Sequence, residues 1–283
     1  FRNKGWLSEN ICLWDKSSGN NIQVYDYNKV ISNEKTLYKF LNDVVKFGFV
    51  KLIKGPKKEK SLFDIVSLFG FVRETNYGKF FDVRNKINPS NLAFTNKGLQ
   101  AHTDNPYRDP VPTIQILYCI KNSVDGGESM VVDGFNAAKK LQDENYEWFN
   151  ILSNYCATFE FFLEKNIRLI SKKPMIELNA EGELICIRFN NRSTSAINGV
   201  PFKKMKTYYN AYRRFGEIID NEEMELKFSL NPGECFIVDN TRVLHARKTF
   251  SSNQGYRWFQ GCYADKDALL SKHKILFEKL RIN

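Results

Sequence analysis

Residues 99–106 read Leu99-Gln100-Ala101-His102-Thr103-Asp104-Asn105-Pro106. In an extended segment residues i and i+2 point to the same side, so His102 and Asp104 can hold one ion together. A second histidine stands in Asp239-Asn240-Thr241-Arg242-Val243-Leu244-His245-Ala246-Arg247, on or just after a strand expected over residues 235–239. HxD followed by a distant histidine offers two imidazoles and one carboxylate, the facial set that leaves three positions of a ferrous ion open. HxD alone arises often by chance. With only three histidines in 283 residues, the match to a distal partner carries more weight. The third, His273, sits in a Lys-rich C-terminal helix and reads as a surface residue. Arg257, in Gly255-Tyr256-Arg257-Trp258-Phe259, lies one expected hairpin beyond His245 and could return to clamp a carboxylate in bidentate fashion. Taken alone, it reads as a surface arginine on a strand.

Outward from this pair, apolar residues Leu37, Phe40, Leu41 and Val44 recur at helical spacing and predict a helix over residues 33–45. A strand over 47–53 and a short helix over 61–69 follow, with Ser61 as the expected N-cap and Gly70 as the stop. Strands are expected over 114–120 and 128–132, joined by a Gly126-Gly127 turn, then a helix over 134–146. Short strands recur over 175–178, 184–190, around 228, and over 235–239, 248–250 and 256–263, interrupted by a helix over 204–219. Short strands with a few helices in one unbroken composition predict an α+β, mainly β fold of sandwich or jelly-roll type. Residues 1–283 read as a single domain.

A chain with 42% hydrophobic and 14% aromatic residues can build a core, which excludes a disordered or fibrous protein. No run approaches the roughly 20 apolar residues of a membrane span. The six cysteines are scattered without a CxxC pair, so buried thiols and a reducing cytoplasm are expected. The net charge of +10 raises nucleic acid as a partner, but the densest basic run, residues 54–60, contains Gly55-Pro56 and reads as a loop. A solvated Lys-rich surface and a positive field for one small anion account for the charge, and neither nucleic acid nor membrane is expected as a partner.

Three strings carry a family resemblance: His102-Thr103-Asp104-Asn105-Pro106-Tyr107, then Gln115-Ile116-Leu117-Tyr118-Cys119-Ile120, then Gly126-Gly127-Glu128-Ser129-Met130-Val131-Val132-Asp133-Gly134-Phe135. The tail Gly261-Cys262-Tyr263-Ala264-Asp265-Lys266-Asp267-Ala268 completes the order. Together they resemble the γ-butyrobetaine dioxygenase branch of the TauD/TfdA oxygenases, over about residues 26–280. The resemblance implies a double-stranded β-helix (jelly roll) with flanking helices, and Fe(II) as cofactor with 2-oxoglutarate and O2 as co-substrates. It implies decarboxylation of 2-oxoglutarate to succinate coupled to hydroxylation of a C–H bond. Position by position it makes His102, Asp104 and His245 the iron ligands, and Arg257 the grip on the distal carboxylate of 2-oxoglutarate. It places Ser129, Asn91 and Leu117 around that co-substrate, though Leu117 is by default a core residue. Members of this branch usually carry an extra N-terminal metal-binding module, for which this chain has no room. The helical C-terminus is a candidate contact for a homodimer.

The same resemblance implies a small zwitterionic substrate. Its cationic nitrogen would meet rings at Tyr77, Phe81, Phe94 and Tyr263, each ring face contributing about 0.5–2 kcal/mol. Two of these are Phe where γ-butyrobetaine enzymes commonly have Trp and Tyr. Phe189-Asn190-Asn191-Arg192 matches the loop that holds the substrate's anionic end, with Arg192 where a small residue is usual. Asn105 replaces a bulkier side chain. An added guanidinium suits a dianionic group, so 2-aminoethylphosphonate or its N-methylated form, hydroxylated beside phosphorus, is the expected substrate. γ-Butyrobetaine hydroxylation is the alternative, and a non-catalytic binding protein on the same fold is a distant third. An oxygen of Asp82 or Asn105 inside the ring cage would favour an unmethylated amine.

Overall fold

A computed structural model describes residues 10–18, 23–84, 98–124, 126–163, 166–249 and 255–282. The strands are β1 (Val24–Asp26), β2 (Phe49–Ile53), β3 (Val72–Arg73), β4 (Phe81–Arg84), β5 (Leu99–His102), β6 (Ile114–Asn122), β7 (Ser129–Asp133) and β8 (Cys156–Leu163). They continue as β9 (Ile167–Pro174), β10 (Ile176–Leu178), β11 (Leu184–Ile187), β12 (Glu225–Phe228), β13 (Cys235–Asp239), β14 (Val243–Arg247) and β15 (Arg257–Ala264). The helices are α1 (Tyr27–Ser32), α2 (Glu34–Phe47), α3 (Leu62–Val66), α4 (Gly134–Glu144), α5 (Tyr146–Asn154), α6 (Phe202–Ile219) and α7 (Lys266–Ile282).

A seven-stranded sheet in the order β1-β2-β13-β6-β15-β3, with β4 also on β15, faces a four-stranded sheet in the order β12-β7-β14-β5. This is the expected jelly roll. Between the sheets, Val131, Phe228 and Val243 from the smaller meet Cys119, Phe236, Val238 and Phe259 from the larger. Each large apolar side chain so buried contributes about 1.5–3 kcal/mol. The outer face of the larger sheet packs on α1, α2, α3 and α7, through residues such as Phe40, Leu41, Ile65 and Leu276. The smaller sheet is covered by α4, α5 and α6, through Phe135, Leu141, Leu152 and Phe215.

The helix read over 33–45 is α2. Asn33 caps it by accepting from Thr36 N–H, and Gly48, at φ 78°, closes it with its N–H on Val44 O. Ser61 stands at the N-cap position of α3, but its hydroxyl donates to Lys58 O and makes no cap hydrogen bond. The helix expected over 134–146 is broken at Asn145. That residue closes α4 through its N–H to Leu141 O and caps α5 by accepting from Trp148 N–H. The hairpin β8–β9 and helix α5 were not anticipated. The third histidine is only partly exposed: His273 stacks on Tyr38 at 5.0 Å and approaches Asn42 at 3.2 Å, joining α7 to α2.

Two expected turns are crossings between sheets. Strands β6 and β7 do not pair, and Gly126 and Gly127, at φ 79° and 70°, carry the chain from the larger sheet to the smaller. Strands β14 and β15 are likewise in different sheets, so Arg257 reaches the interior from across the sandwich and not along a hairpin. His245 lies on a strand of its own, β14, two residues from the end. Strand β11 stops at Ile187, and residues 248–249 belong to no strand; Phe250 lies outside the described residues. Among the described residues no helix is long and apolar enough to cross a membrane, and all six cysteines are free thiols.

Candidate metal centre and its cavity

His102 ends β5, and His245 stands directly opposite it on β14. Their rings lie 4.5 Å apart, centroid to centroid. Asp104, just past the end of β5, brings one carboxylate oxygen to 3.3 Å from His102 Nε2 and the other to 3.8 Å from His245 Nε2. One ligand atom from each of the three residues falls within 4.8 Å of the others. The loop that carries Asp104 is fixed by Asn240, between β13 and β14. Asp104 N–H donates to Asn240 Oδ1 at 2.7 Å, and Asn240 Nδ2 donates to the carbonyls of Asp104 at 3.0 Å and Pro112 at 2.8 Å. His102 Nδ1 sits 2.7 Å from Gln100 O. That contact puts the ring proton on Nδ1 and leaves the Nε2 lone pair toward Asp104.

Burial alone would raise the Asp104 pKa, but His245, His102 and the Tyr263 hydroxyl hold it well below the usual carboxylate range. Its Oδ2 accepts from Gln115 Nε2 at 2.7 Å and from Tyr263 at 2.8 Å. Burial and the neighbouring His102 push His245 down to about 3, so its imidazole is neutral at neutral pH. Two imidazole nitrogens and one carboxylate on one face form a donor set that fits a divalent first-row metal with open positions.

The triad opens into a cavity of about 430 Å³. Of the residues expected there, Tyr77, Phe81, Asn105, Leu117, Ser129, Asn190, Arg192, Arg257 and Tyr263 all line it. Phe81 packs on Tyr263 at 5.4 Å and on Tyr77 at 6.0 Å, so three of the four expected rings stand together. Arg257 is buried, its guanidinium 3.9 Å over the Phe259 ring. Asn105 is buried in a left-handed conformation, φ 54°, and its Oδ1 accepts from Tyr107 at 2.6 Å. Arg192 is an exposed residue at the cavity's edge, yet its charge reaches His245 and Arg247.

Two expectations change, and two fall where nothing is described. Asn191 does not line the cavity: its amide is held by Gln100, at 2.7 Å, and by the Tyr212 hydroxyl. Asp82 is outside the ring cage, its Oδ1 accepting from Trp258 Nε1 at 2.7 Å and Gln260 Nε2 at 3.1 Å. Asn91 and Phe94 lie outside the described residues. Sequence reasoning missed Gln115, Asn240, Arg247, Tyr107 and Phe161. Arg247 had a signal, since it follows His245 at i+2, the same alternation that links His102 to Asp104. Phe161 had none, because β8 is brought to the cavity only by tertiary packing; it stacks on Tyr107 at 4.8 Å.

Comparison with known proteins gives three kinds of likeness. The family model described as "Taurine catabolism dioxygenase TauD, TfdA family" matches residues 15–263. γ-Butyrobetaine dioxygenase of Pseudomonas sp. (strain AK-1) is 35% identical over 260 residues, 91% of this chain and 67% of that protein. The human γ-butyrobetaine dioxygenase is 33% identical over 261 residues, 90% of this chain and again 67% of the relative. This chain therefore spans about two thirds of the length of these relatives. Among solved structures, an asparagine oxygenase in complex with Fe(II), 2S,3S-3-hydroxyasparagine and succinate superposes with a TM-score of 0.62. That match covers 82% of this chain and 78% of the other at 18% identity, a likeness of fold.

Proposed function

This chain belongs to the TauD/TfdA dioxygenase family, and from that premise we propose that it hydroxylates a small zwitterionic amine with Fe(II), 2-oxoglutarate and O2. The observation that carries the reading is one cavity holding both the His102–Asp104–His245 triad and the Tyr77–Phe81–Tyr263 rings. Ring faces select a cationic nitrogen, and the triad stands beside them.

His102, Asp104 and His245 would hold the iron, which when bound supplies oxidative decarboxylation of 2-oxoglutarate coupled to hydroxylation. The rest of the chemistry is positioning by the chain itself. Gln115 and Tyr263 donate to Asp104 Oδ2 and so keep that carboxylate anionic and correctly turned. Arg257, steadied by Phe259, presents a fixed fork for the distal carboxylate of 2-oxoglutarate, with Ser129 and Leu117 beside it. The aromatic wall holds the ammonium group and limits water at the reacting carbon.

The order of substrates expected from the sequence is reversed. γ-Butyrobetaine stands first, supported by two relatives that carry that activity in their names. An aminoalkylphosphonate stands second, supported by Arg192 at the cavity's edge. The experiment is a panel of γ-butyrobetaine, 2-aminoethylphosphonate and its trimethyl analogue, assayed for succinate and for hydroxylated product. Hydroxylation of γ-butyrobetaine with the highest kcat/KM is the expected result. Succinate formation that no amine zwitterion stimulates would overturn the substrate class.

A further inference from the structure

Strand β8 sends alternate side chains to one face, and two of them are Phe159 and Phe161. Phe159 is wholly buried in the core shared with α5 and α6. Phe161, one step nearer the end of the strand, lines the cavity and stays partly exposed. Tyr107 is buried and stacks on it at 4.8 Å, with 22° between the ring planes. Tyr107 is itself fixed, since its hydroxyl donates to Asn105 Oδ1 at 2.6 Å and lies 3.2 Å from the Tyr77 hydroxyl. The Tyr77 ring meets the Phe161 ring at 6.0 Å. The rings therefore form one row, from Tyr263 through Phe81 and Tyr77 to Phe161. It starts at the hydroxyl bonded to Asp104 and ends on the β8–β9 hairpin.

That hairpin pairs with neither sheet of the jelly roll. It is tied instead to the loop that carries Arg192: Glu160 N–H donates to Ser193 O at 2.7 Å, and Ser195 N–H to Thr158 O at 2.8 Å. Phe161 is thus held by a buried stacking partner and by the backbone on which it sits. Tyr107 covers one face of its ring, and the cavity meets what remains. An aromatic ring attracts a cation without needing a hydrogen bond, whereas an aliphatic side chain of similar bulk would pack there and attract nothing. We propose that Phe161 is a specificity-determining residue, a ring contact for the substrate's ammonium group supplied by the β8–β9 hairpin. This inference rests on a cationic amine being the substrate. It places part of the selection of that amine on a hairpin that contributes no metal ligand, since His102, Asp104 and His245 come from β5, the loop after it and β14.

The test compares γ-butyrobetaine with its carbon isostere, in which a tert-butyl group replaces the trimethylammonium, so that shape is kept and the positive charge removed. Both are titrated by calorimetry into the protein loaded with Mn(II) and 2-oxoglutarate, without O2. The wild type should prefer the cation. Phe161→Leu and Phe161→Met replace the ring with apolar bulk, and each should cut that preference about 2- to 30-fold, the worth of one ring contact. Phe161→Tyr keeps the ring and should keep the preference. An unchanged preference in the Leu and Met variants overturns the assignment while leaving the amine reading intact. Equal weakening of both ligands also overturns it, because Phe161 would then only pack. A wild-type protein with no preference for the cation overturns the amine reading of the ring wall, and the assignment falls with it.

Discussion

The hydroxyl of Tyr263 donates to Asp104 Oδ2 at 2.8 Å while its ring packs against Phe81 at 5.4 Å. One side chain therefore belongs to the metal side and to the ring wall at once. The coupling is local and one-directional: the ring can wall a ligand without the hydroxyl, but Asp104 loses a donor without it.

Removing only the oxygen separates the two roles. Tyr263→Phe keeps the ring and should lower metal affinity by about 10- to 100-fold, the usual effect of losing an outer-shell partner. The KM for the amine should change less than threefold. Metal titration by calorimetry beside steady-state kinetics checks both; a raised amine KM with unchanged metal affinity would contradict the division.

Gly261 gives a second handle on the ring wall. A Cβ at this position would lie 2.3 and 2.4 Å from Phe81 ring atoms and 3.1 Å from Leu117 Cδ2. Gly261→Ala must displace the Phe81 ring, which lines the cavity. Trimethylated amines should lose about tenfold in kcat/KM, an effect of the size of one ring contact, and a primary amine should lose less. Kinetics on the matched pair of substrates reads the difference.

How far the sequence carried this reading is visible in particular strands. The metal triad was legible because alternation over His102 and Asp104 needs only local geometry. Strand β14 was not, because its alternation of His245 and Arg247 with Leu244 and Ala246 is too short to mark a period and all five of its residues are buried. For the same reason His245 was attached to its neighbour β13, which is also buried throughout. Arg257 was assigned to the cavity correctly for the wrong reason, since pairing partners in a jelly roll are set by crossings and not by sequence order. Asn191 failed because a motif match fixes the loop but not which of two adjacent asparagines turns inward.

Stability has its own hinge in Arg242, three residues before His245. Its guanidinium makes a bidentate pair with Asp133, at 3.0 and 2.8 Å, and also donates to the carbonyls of Lys46 and Cys12 at 2.9 and 2.5 Å. Both side chains are almost wholly buried. Arg242→Met leaves the Asp133 carboxylate buried without its partner and should cost about 3–5 kcal/mol of stability. Urea unfolding would measure it. A double variant with Asp133→Asn should lose less than the sum of the two single changes, because the orphaned charge is then absent.

Arg192 offers a test of the proposed anionic end of the substrate. Its residue is exposed, so a carboxylate held there would gain little beyond a screened surface contact. A phosphonate carries up to two charges and three oxygens and would gain more from the same guanidinium. Its charge nonetheless reaches Arg247 and His245, so it is not remote from the reacting end of the cavity. Arg192→Ala should therefore reduce turnover of 2-aminoethylphosphonate by about tenfold or more, the scale of one charged hydrogen bond, and that of γ-butyrobetaine by less. The ratio of the two kcat/KM losses is the quantity to measure. Equal losses would make Arg192 a structural residue of the 190s loop and leave the aminophosphonate reading without its support.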